Sequence, residues 1–268
     1  MNRPLLIDQI KKKKNYLCIG LDTDPDKLPA GLTKDIKGVI TFNKRIIQAT
    51  MDHCVSYKIN TAFYESMGGA GWEAMQETVD SIPATHFKIA DAKRGDIGNT
   101  TEQYAKAFFE NMSFDAVTLQ PYMGKDSILP FLSYENKWAI ILALTSNKSA
   151  EDFETLQLQN GRKVFEEVIL QSSQWGNKGN TMYVTGATRA EQLSEIRKLI
   201  PEHFLLIPGV GTQGGSLQDV HQHGHMIDIG MLVNVSRAVI YAGDGEDYAE
   251  KAQVAAISYC SEMEQLLS

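Results

Sequence analysis

Short apolar runs alternate with helical patterns along the whole chain, and this alternation constrains the fold more than any single motif does. Short apolar runs bounded by turn residues read as strands, and segments with apolar residues at every third or fourth position read as helices. Strands are expected at about Tyr16–Leu21, Val55–Phe63, Thr85–Ala90, Ala116–Leu119, Trp138–Leu144, Met182–Val184, Phe204–Ile207 and Asn234–Tyr241. Between and after them lie helical patterns at Ile36–His53, Trp72–Ser81, Thr100–Asn111, Asp126–Leu132, Gly161–Gln174, Ala190–Leu199, Leu217–Gly224 and Asp247–Leu267, with a chain break at Gly68–Gly71. Such alternation implies a parallel sheet with right-handed crossovers. The run WAIILAL at Trp138–Leu144 is apolar throughout, as a strand covered on both faces must be. Eight such units in 268 residues fit a closed α/β architecture, the (β/α)8 or TIM barrel, better than an open doubly wound sheet. No compositional break marks a linker, so residues 1–268 read as a single domain.

The bulk composition narrows the partners. With 43% hydrophobic and 22% charged residues this is an ordinary globular chain. A formal net charge of −7 argues against a general binder of nucleic acid or membrane surface, and an anionic ligand would need a local positive site. Cys18, Cys54 and Cys260 are scattered, with no C-x-x-C spacing, which reads as reduced thiols in a cytoplasmic protein. The first twenty residues hold no apolar segment long enough for a signal sequence or a membrane span. The Lys11–Lys14 run reads as the solvated end of a first helix, where cations suit the helix dipole. It lacks the aromatic interleaving of a nucleic-acid platform.

One stretch concentrates charge. Phe87–Thr100, FKIADAKRGDIGNT, begins as an apolar strand and passes into a polar turn holding Asp91, Lys93, Arg94 and Asp96. Taken alone, this is a loop whose charges cap the next helix. In a barrel, however, chemistry sits at the C-terminal ends of the strands, where side chains alternate inward and outward. Asp91 and Lys93 share parity and can both face the barrel mouth, whereas Lys88 has the opposite parity and reads as a lysine snorkelling between strand and helix. Lys58, in phase with Asn60 within the second strand, needs a partner if it faces inward, and Asp91 on the neighbouring strand is one; the alternative is an outward lysine reaching solvent. Asp22, at the end of the first strand, is a turn cap by itself and an acceptor for sugar hydroxyls at a barrel mouth. The glycine-rich PGVGTQGG, Pro208–Gly215, follows the seventh strand, where backbone N–H groups of such barrels hold phosphate; alone it is also a plain turn. Arg237, in the eighth strand segment, can add a bidentate contact, and Gln213 a neutral donor. His221, His223 and His225 lie at a helix end without a carboxylate pattern and read as a surface segment rather than a metal site. The phosphate-loop, nucleophile-elbow and H-E-x-x-H motifs do not occur.

These residues together resemble a known family. DAKRGDIGNT closely resembles the signature of the orotidine 5′-phosphate decarboxylases, in the branch with a longer chain. GLD at Gly20–Asp22, YKINTAFYE at Tyr57–Glu65, LTSN at Leu144–Asn147, PGVGTQGG and SRAV follow in family order over nearly the whole chain. The resemblance implies a (β/α)8 barrel, a homodimer with shared active sites, and cofactor-independent decarboxylation of orotidine 5′-monophosphate to UMP, with no metal. It implies that Lys58, Asp91, Lys93 and Asp96 form an alternating charged chain, with Asp96 reaching from the other subunit. Ile97 and Thr100 would cross the dimer interface as well. Asp22 and Thr100 would hold the ribose hydroxyls and Ser146 the pyrimidine ring. Gln213, Gly214 or neighbouring backbone, and Arg237 would hold the 5′-phosphate. The long polar segment after Ser146 departs from the family pattern, and the resemblance assigns nothing there. Arg94 is left as a solvated or loop-bracing arginine. Two other functions fit the same residues: a metal-dependent sugar-phosphate decarboxylase or aldolase on the same barrel, and a non-catalytic nucleotide-binding barrel.

Overall fold

A computed structural model describes residues 1–187, 190–211 and 215–268. Its strands are β1 Leu17–Gly20, β2 Ser56–Asn60, β3 Phe87–Arg94, β4 Ala116–Leu119, β5 Trp138–Leu144, β6 Thr181–Thr185, β7 Phe204–Pro208 and β8 Met231–Val235. All pairings are parallel, and the sheet closes in chain order when β8 returns to β1 through Leu17↔Val233 and Cys18↔Asn234. The helices are α1 Arg3–Lys13, α2 Ile36–Thr50, α3 Thr61–Glu65, α4 Gly68–Ser81, α5 Gly98–Lys106, α6 Leu129–Leu132, α7 Val164–Ser172, α8 Ala190–Leu199, α9 Leu217–Gly224, α10 Arg237–Ile240 and α11 Tyr248–Leu266. The chain is therefore the expected (β/α)8 barrel.

Packing explains the closure. At the N-terminal end of the strands, Phe87, Trp138 and Phe204 meet edge to face, with ring centroids 5.8 and 6.0 Å apart. Helix α1 lies against this end, burying Leu6 and Ile10 and setting the Arg3 guanidinium 5.1 Å from the Phe204 ring. Helix α2 starts where the Asp35 side chain accepts a hydrogen bond from Gly38 N, an N-cap that satisfies one orphan donor. It buries Val39, Phe42, Ile46 and Ile47 on one face, at a helical period, each contributing about 1.5–3 kcal/mol. Tyr248 of α11 stacks on Phe42 at 5.2 Å, joining the last helix to α2.

β4, β5, α8 and α9 lie where the sequence pattern puts them, to the residue. Other boundaries moved for physical reasons. β2 stops at Asn60, because its side chain accepts from Ala62 N and starts α3. Gly68–Gly71 is not a break but the first turn of α4. A Cβ on Gly71 would lie 1.8 Å from the Tyr64 carbonyl oxygen, so a side chain there would prevent the close approach of α3 and α4. β3 runs on through Arg94, so Asp91–Arg94 are strand rather than turn. β8 is Met231–Val235, and Arg237 opens the helical turn α10 instead of lying in the strand. The Lys11–Lys14 run is only partly solvated: Lys13 is half-buried, and its ammonium donates to the Met51 and Cys54 carbonyls and meets His86 Nε2 at 2.8 Å.

Candidate active site

The C-terminal half of β3 organises the mouth of the barrel. Asp91 lies across from Asn60 of β2, and its carboxylate gathers three donors. Lys58 Nζ donates to Asp91 Oδ2 at 2.9 Å, Lys93 Nζ donates to Oδ1 at 2.6 Å, and Thr118 Oγ1 donates to Oδ1 at 3.0 Å. Lys58 also reaches Asp22 Oδ1 at 3.3 Å. The Lys58 side chain is 5% exposed and that of Lys93 46%. Lys58 is thus locked between two carboxylates, while Lys93 keeps one side open to a ligand.

Parity alone does not deliver Lys93. β3 carries extra residues between Ala90 and Arg94 relative to Val117 and Leu119 of β4. Lys93 takes a left-handed backbone, φ 47°, and its N–H donates to Thr118 Oγ1 at 2.9 Å. A non-glycine residue there costs roughly 1–2 kcal/mol, a cost met most often at functional sites.

Electrostatics keeps Lys58 and Asp91 charged. Burial works against the Lys58 ammonium, but Asp22 and Asp91 more than offset it and hold its pKa above the ordinary lysine value. Burial likewise opposes the Asp91 carboxylate, and Lys58 and Lys93 hold it well below the usual carboxylate range.

Asp22 is set by a buried network the sequence did not reveal. Thr23 Oγ1 donates to Asn43 Oδ1 at 2.6 Å, and Asn43 Nδ2 donates to Tyr64 OH and Thr78 Oγ1, both at 2.9 Å. Tyr64 OH donates to the Leu21 carbonyl at 3.1 Å. Leu21 and Thr23, the neighbours of Asp22, are therefore fixed on either side.

A cavity of about 370 Å3 opens beside these charges, within the usual size for small-molecule sites. Asp22, Lys58, Asp91 and Lys93 form its charged end, and Leu142, Val184 and Leu206 an apolar wall. Thr145, Ser146 and Asn147 form a rim. Pro208, Gly209, Val210 and Arg237 line another part, where Gly209 and Gly211 have φ of 102° and 80°, values open to glycine. Asn234 and Ser236 also line the cavity, and the buried Ser236 Oγ has no hydrogen-bond partner among the described residues.

Of the expected site residues, Lys58, Asp91, Lys93, Asp22, Ser146 and Arg237 share this cavity. Asp96, Ile97 and Thr100 do not line it: Asp96 Oδ1 accepts from Ile97 N at 2.8 Å, and Ile97 is 55% exposed. Gln213 and Gly214 lie outside the described residues. Thr118, Asn234 and Ser236 were missed, since a lone polar residue at a strand end carries no local signal. Glu154 was missed too. It folds back from the polar segment to accept from Thr145 N at 2.6 Å and from Thr145 Oγ1 at 2.8 Å, bracing the rim beside Ser146. Lys88 bonds the Val79 carbonyl at 3.0 Å, outside the cavity. Of the three helix-end histidines, His221 and His225 stack with ring centroids 4.6 Å apart while His223 turns away: His221 meets Tyr16 OH and His223 meets Ser194 Oγ, each at 2.9 Å, and His225 Nδ1 lies 2.7 Å from the His221 carbonyl. Among the described residues no three His, Cys, Asp or Glu side chains are grouped to hold a metal ion, and no helix is long and apolar enough to cross a membrane.

A family model described as "Orotidine 5'-phosphate decarboxylase / HUMPS family" matches residues 15–252. The chain belongs to this orotidine 5′-phosphate decarboxylase / HUMPS family. Within it, the chain is 50% identical over 270 residues to the orotidine 5′-phosphate decarboxylase of Phocaeicola vulgatus, covering 100% of this chain and 99% of that one. The fold is similar to that of Leishmania donovani OMP decarboxylase, with TM-score 0.86 and 34% identity over 98% of this chain and 97% of that chain. It is also similar to Leishmania donovani UMP synthase, with TM-score 0.87 and 35% identity, but there the chain spans only 55% of the larger protein.

Proposed function

We propose that the protein converts orotidine 5′-monophosphate to UMP and CO2, as a single-domain cytoplasmic homodimer using neither metal nor organic cofactor. The observation that carries this reading is the Lys58–Asp91–Lys93 chain at the charged end of the cavity, in a chain whose family match runs from residue 15 to residue 252.

The chemistry asks for what this chain supplies. When the bond from C6 to the carboxylate breaks, the electron pair stays on C6 in the plane of the ring, where no π system can accept it. Preorganised charge must then stabilise it. The Lys93 ammonium is the partner: it faces the developing carbanion and gives C6 a proton, leaving an amine that solvent reprotonates. Asp91 holds Lys93 and lies beside the departing carboxylate. Lys58, held by Asp22 and Asp91, keeps that array charged and fixed, so no reorganisation is needed as the reaction proceeds.

The remaining cavity residues take the rest of the nucleotide. Asp22 accepts from the ribose hydroxyls, and Ser146 meets the pyrimidine. Arg237, with Gln213, Gly214 and the neighbouring backbone, takes the 5′-phosphate, whose binding energy is spent on closing the reacting end. Asp96, Ile97 and Thr100 serve the site of a second copy of the chain. Their position outside this chain's own cavity and the exposure of Ile97 support that reading.

The test is UMP formation from orotidine 5′-monophosphate by protein treated with a chelator. Undiminished turnover is expected. Activity that needs added metal and a ketose phosphate would instead support the sugar-phosphate alternative, and tight UMP binding without turnover the non-catalytic one.

A further inference from the structure

We propose that Arg94, together with Glu65, is the positioning residue that aims Lys93 at the reacting ring; this assignment rests on the decarboxylase reading above. Lys93 sits in a left-handed conformation within an irregular part of β3. A residue so placed keeps its aim only if both flanks are held. On the N-terminal side, Ala90 pairs with Val117 and Asp91 is held by Lys58 and Thr118. On the C-terminal side, the anchor is Arg94.

The Arg94 guanidinium is committed on several sides. Its Nη1 donates back to the Ala92 carbonyl at 2.8 Å, so the side chain following Lys93 grips the residue preceding it. Its Nη2 pairs with the Glu65 carboxylate. The cation lies 5.4 Å from the Tyr104 ring centroid and 5.6 Å from that of Phe108, within reach of both π faces. Its own carbonyl accepts from Gln120 N at 2.8 Å. The Arg94 side chain is 19% exposed, so this pair is better shielded than a surface ion pair. The buried Nε has no acceptor among the described residues, an uncommon cost at a side chain fixed by its other contacts.

The bridge has a second consequence. Glu65 ends α3, which follows directly from the strand that carries Lys58. Asp91 ties Lys58 to Lys93 inside the barrel, and Glu65–Arg94 ties α3, the helix after the Lys58 strand, to β3. Arg94 does not line the cavity, so it acts on the reaction only through Lys93.

The experiment compares kcat and KM for orotidine 5′-monophosphate in wild type, Arg94→Met, Arg94→Lys and Glu65→Gln. Thermal unfolding and UMP affinity are measured on the same samples. Misplacing a reacting group by an ångström can cost about 100-fold. Arg94→Met should therefore lose about that factor in kcat per folded site, with KM and UMP affinity little changed. Arg94→Lys should recover part of the loss. Glu65→Gln should lower kcat in the same sense, and adding it to Arg94→Met should cost less than its effect alone, because the two residues act as a unit. A lower Tm with unchanged kcat per folded site, or a raised KM with kcat intact, overturns the assignment. Should Arg94→Met not fold, Arg94→Lys and Glu65→Gln decide by the same readout. Absence of turnover by wild type would remove the decarboxylase reading itself, whereas an active wild type with an equally active Arg94→Met removes only the positioning role.

Discussion

Asp91 shows at the scale of one residue how charge can be stored at a barrel mouth. Two lysines and a threonine satisfy its carboxylate, and removing one partner of a buried ionic set costs more than the set itself contributes. Asp91→Asn should therefore lower stability by about 3 kcal/mol near neutral pH, measured by urea unfolding; a loss under about 1 kcal/mol would place the triad among weak surface pairs. The pH dependence follows from the direction of each shift. Asp91 has a depressed pKa in the fold, so its contribution is present above about pH 4, the unfolded value, and is lost as pH falls through the lower folded value. Lys58 has a raised pKa, so its contribution is present below about pH 10.4 and is lost as pH rises through the folded value. The stability difference between wild type and Asp91→Asn should be flat from about pH 5 to 9, shrinking in stronger acid and again in strong base as Lys58 loses its proton. A difference that varied through neutrality would mean that another group carries the charge.

The element that places Asp22 is the buried hydrogen-bond network linking the loop after β1 to α2, α3 and α4. Asn43→Ala would leave Thr23, Tyr64 and Thr78 short of partners. It should cost about 2 kcal/mol and raise KM with little change in kcat, because it loosens Asp22, the proposed ribose contact, rather than Lys93. A kcat loss as large as the KM change would contradict that role. Strands such as Trp138–Leu144 are legible in the sequence because burial on both faces leaves an unbroken apolar run. β8 was displaced toward Tyr241 because the apolar residues of the α10 turn imitate a strand, and only pairing to β1 and β7 selects Met231–Val235. Lys58, Asp91 and Lys93 were legible as charges that burial would penalise without partners. Thr118, Glu154 and Glu65 were not, because each acts through a contact distant in sequence or across the barrel wall.

Across the whole molecule, two histidines, the buried His86 and the half-buried His203, set an acid limit away from the cavity. Burial, then Lys13, pushes His86 down to about 4, and burial, then Arg3 and Arg197, pushes His203 down to about 4. Both are neutral in the fold, whereas the unfolded chain binds protons near about pH 6.5. Stability should be full above that pH and fall as the solution is acidified toward 4. Calorimetry at pH 7 and pH 4.5 checks this, and His86→Gln should flatten part of the slope; an unchanged slope would exclude His86 as a cause. A second consequence at this scale concerns assembly. Mixed Lys58→Ala and Asp96→Ala subunits should regain turnover in those hybrids that hold one intact site. Confirmed subunit exchange with no activity would mean that the sites are not shared. Lys93 is proposed to perform the chemistry on a nucleotide held by the rest of the cavity. The most direct test is to measure decarboxylation and UMP affinity together in Lys93→Ala. Turnover should be abolished while UMP binding is largely kept; substantial turnover by this variant would exclude Lys93 as the group that protonates C6.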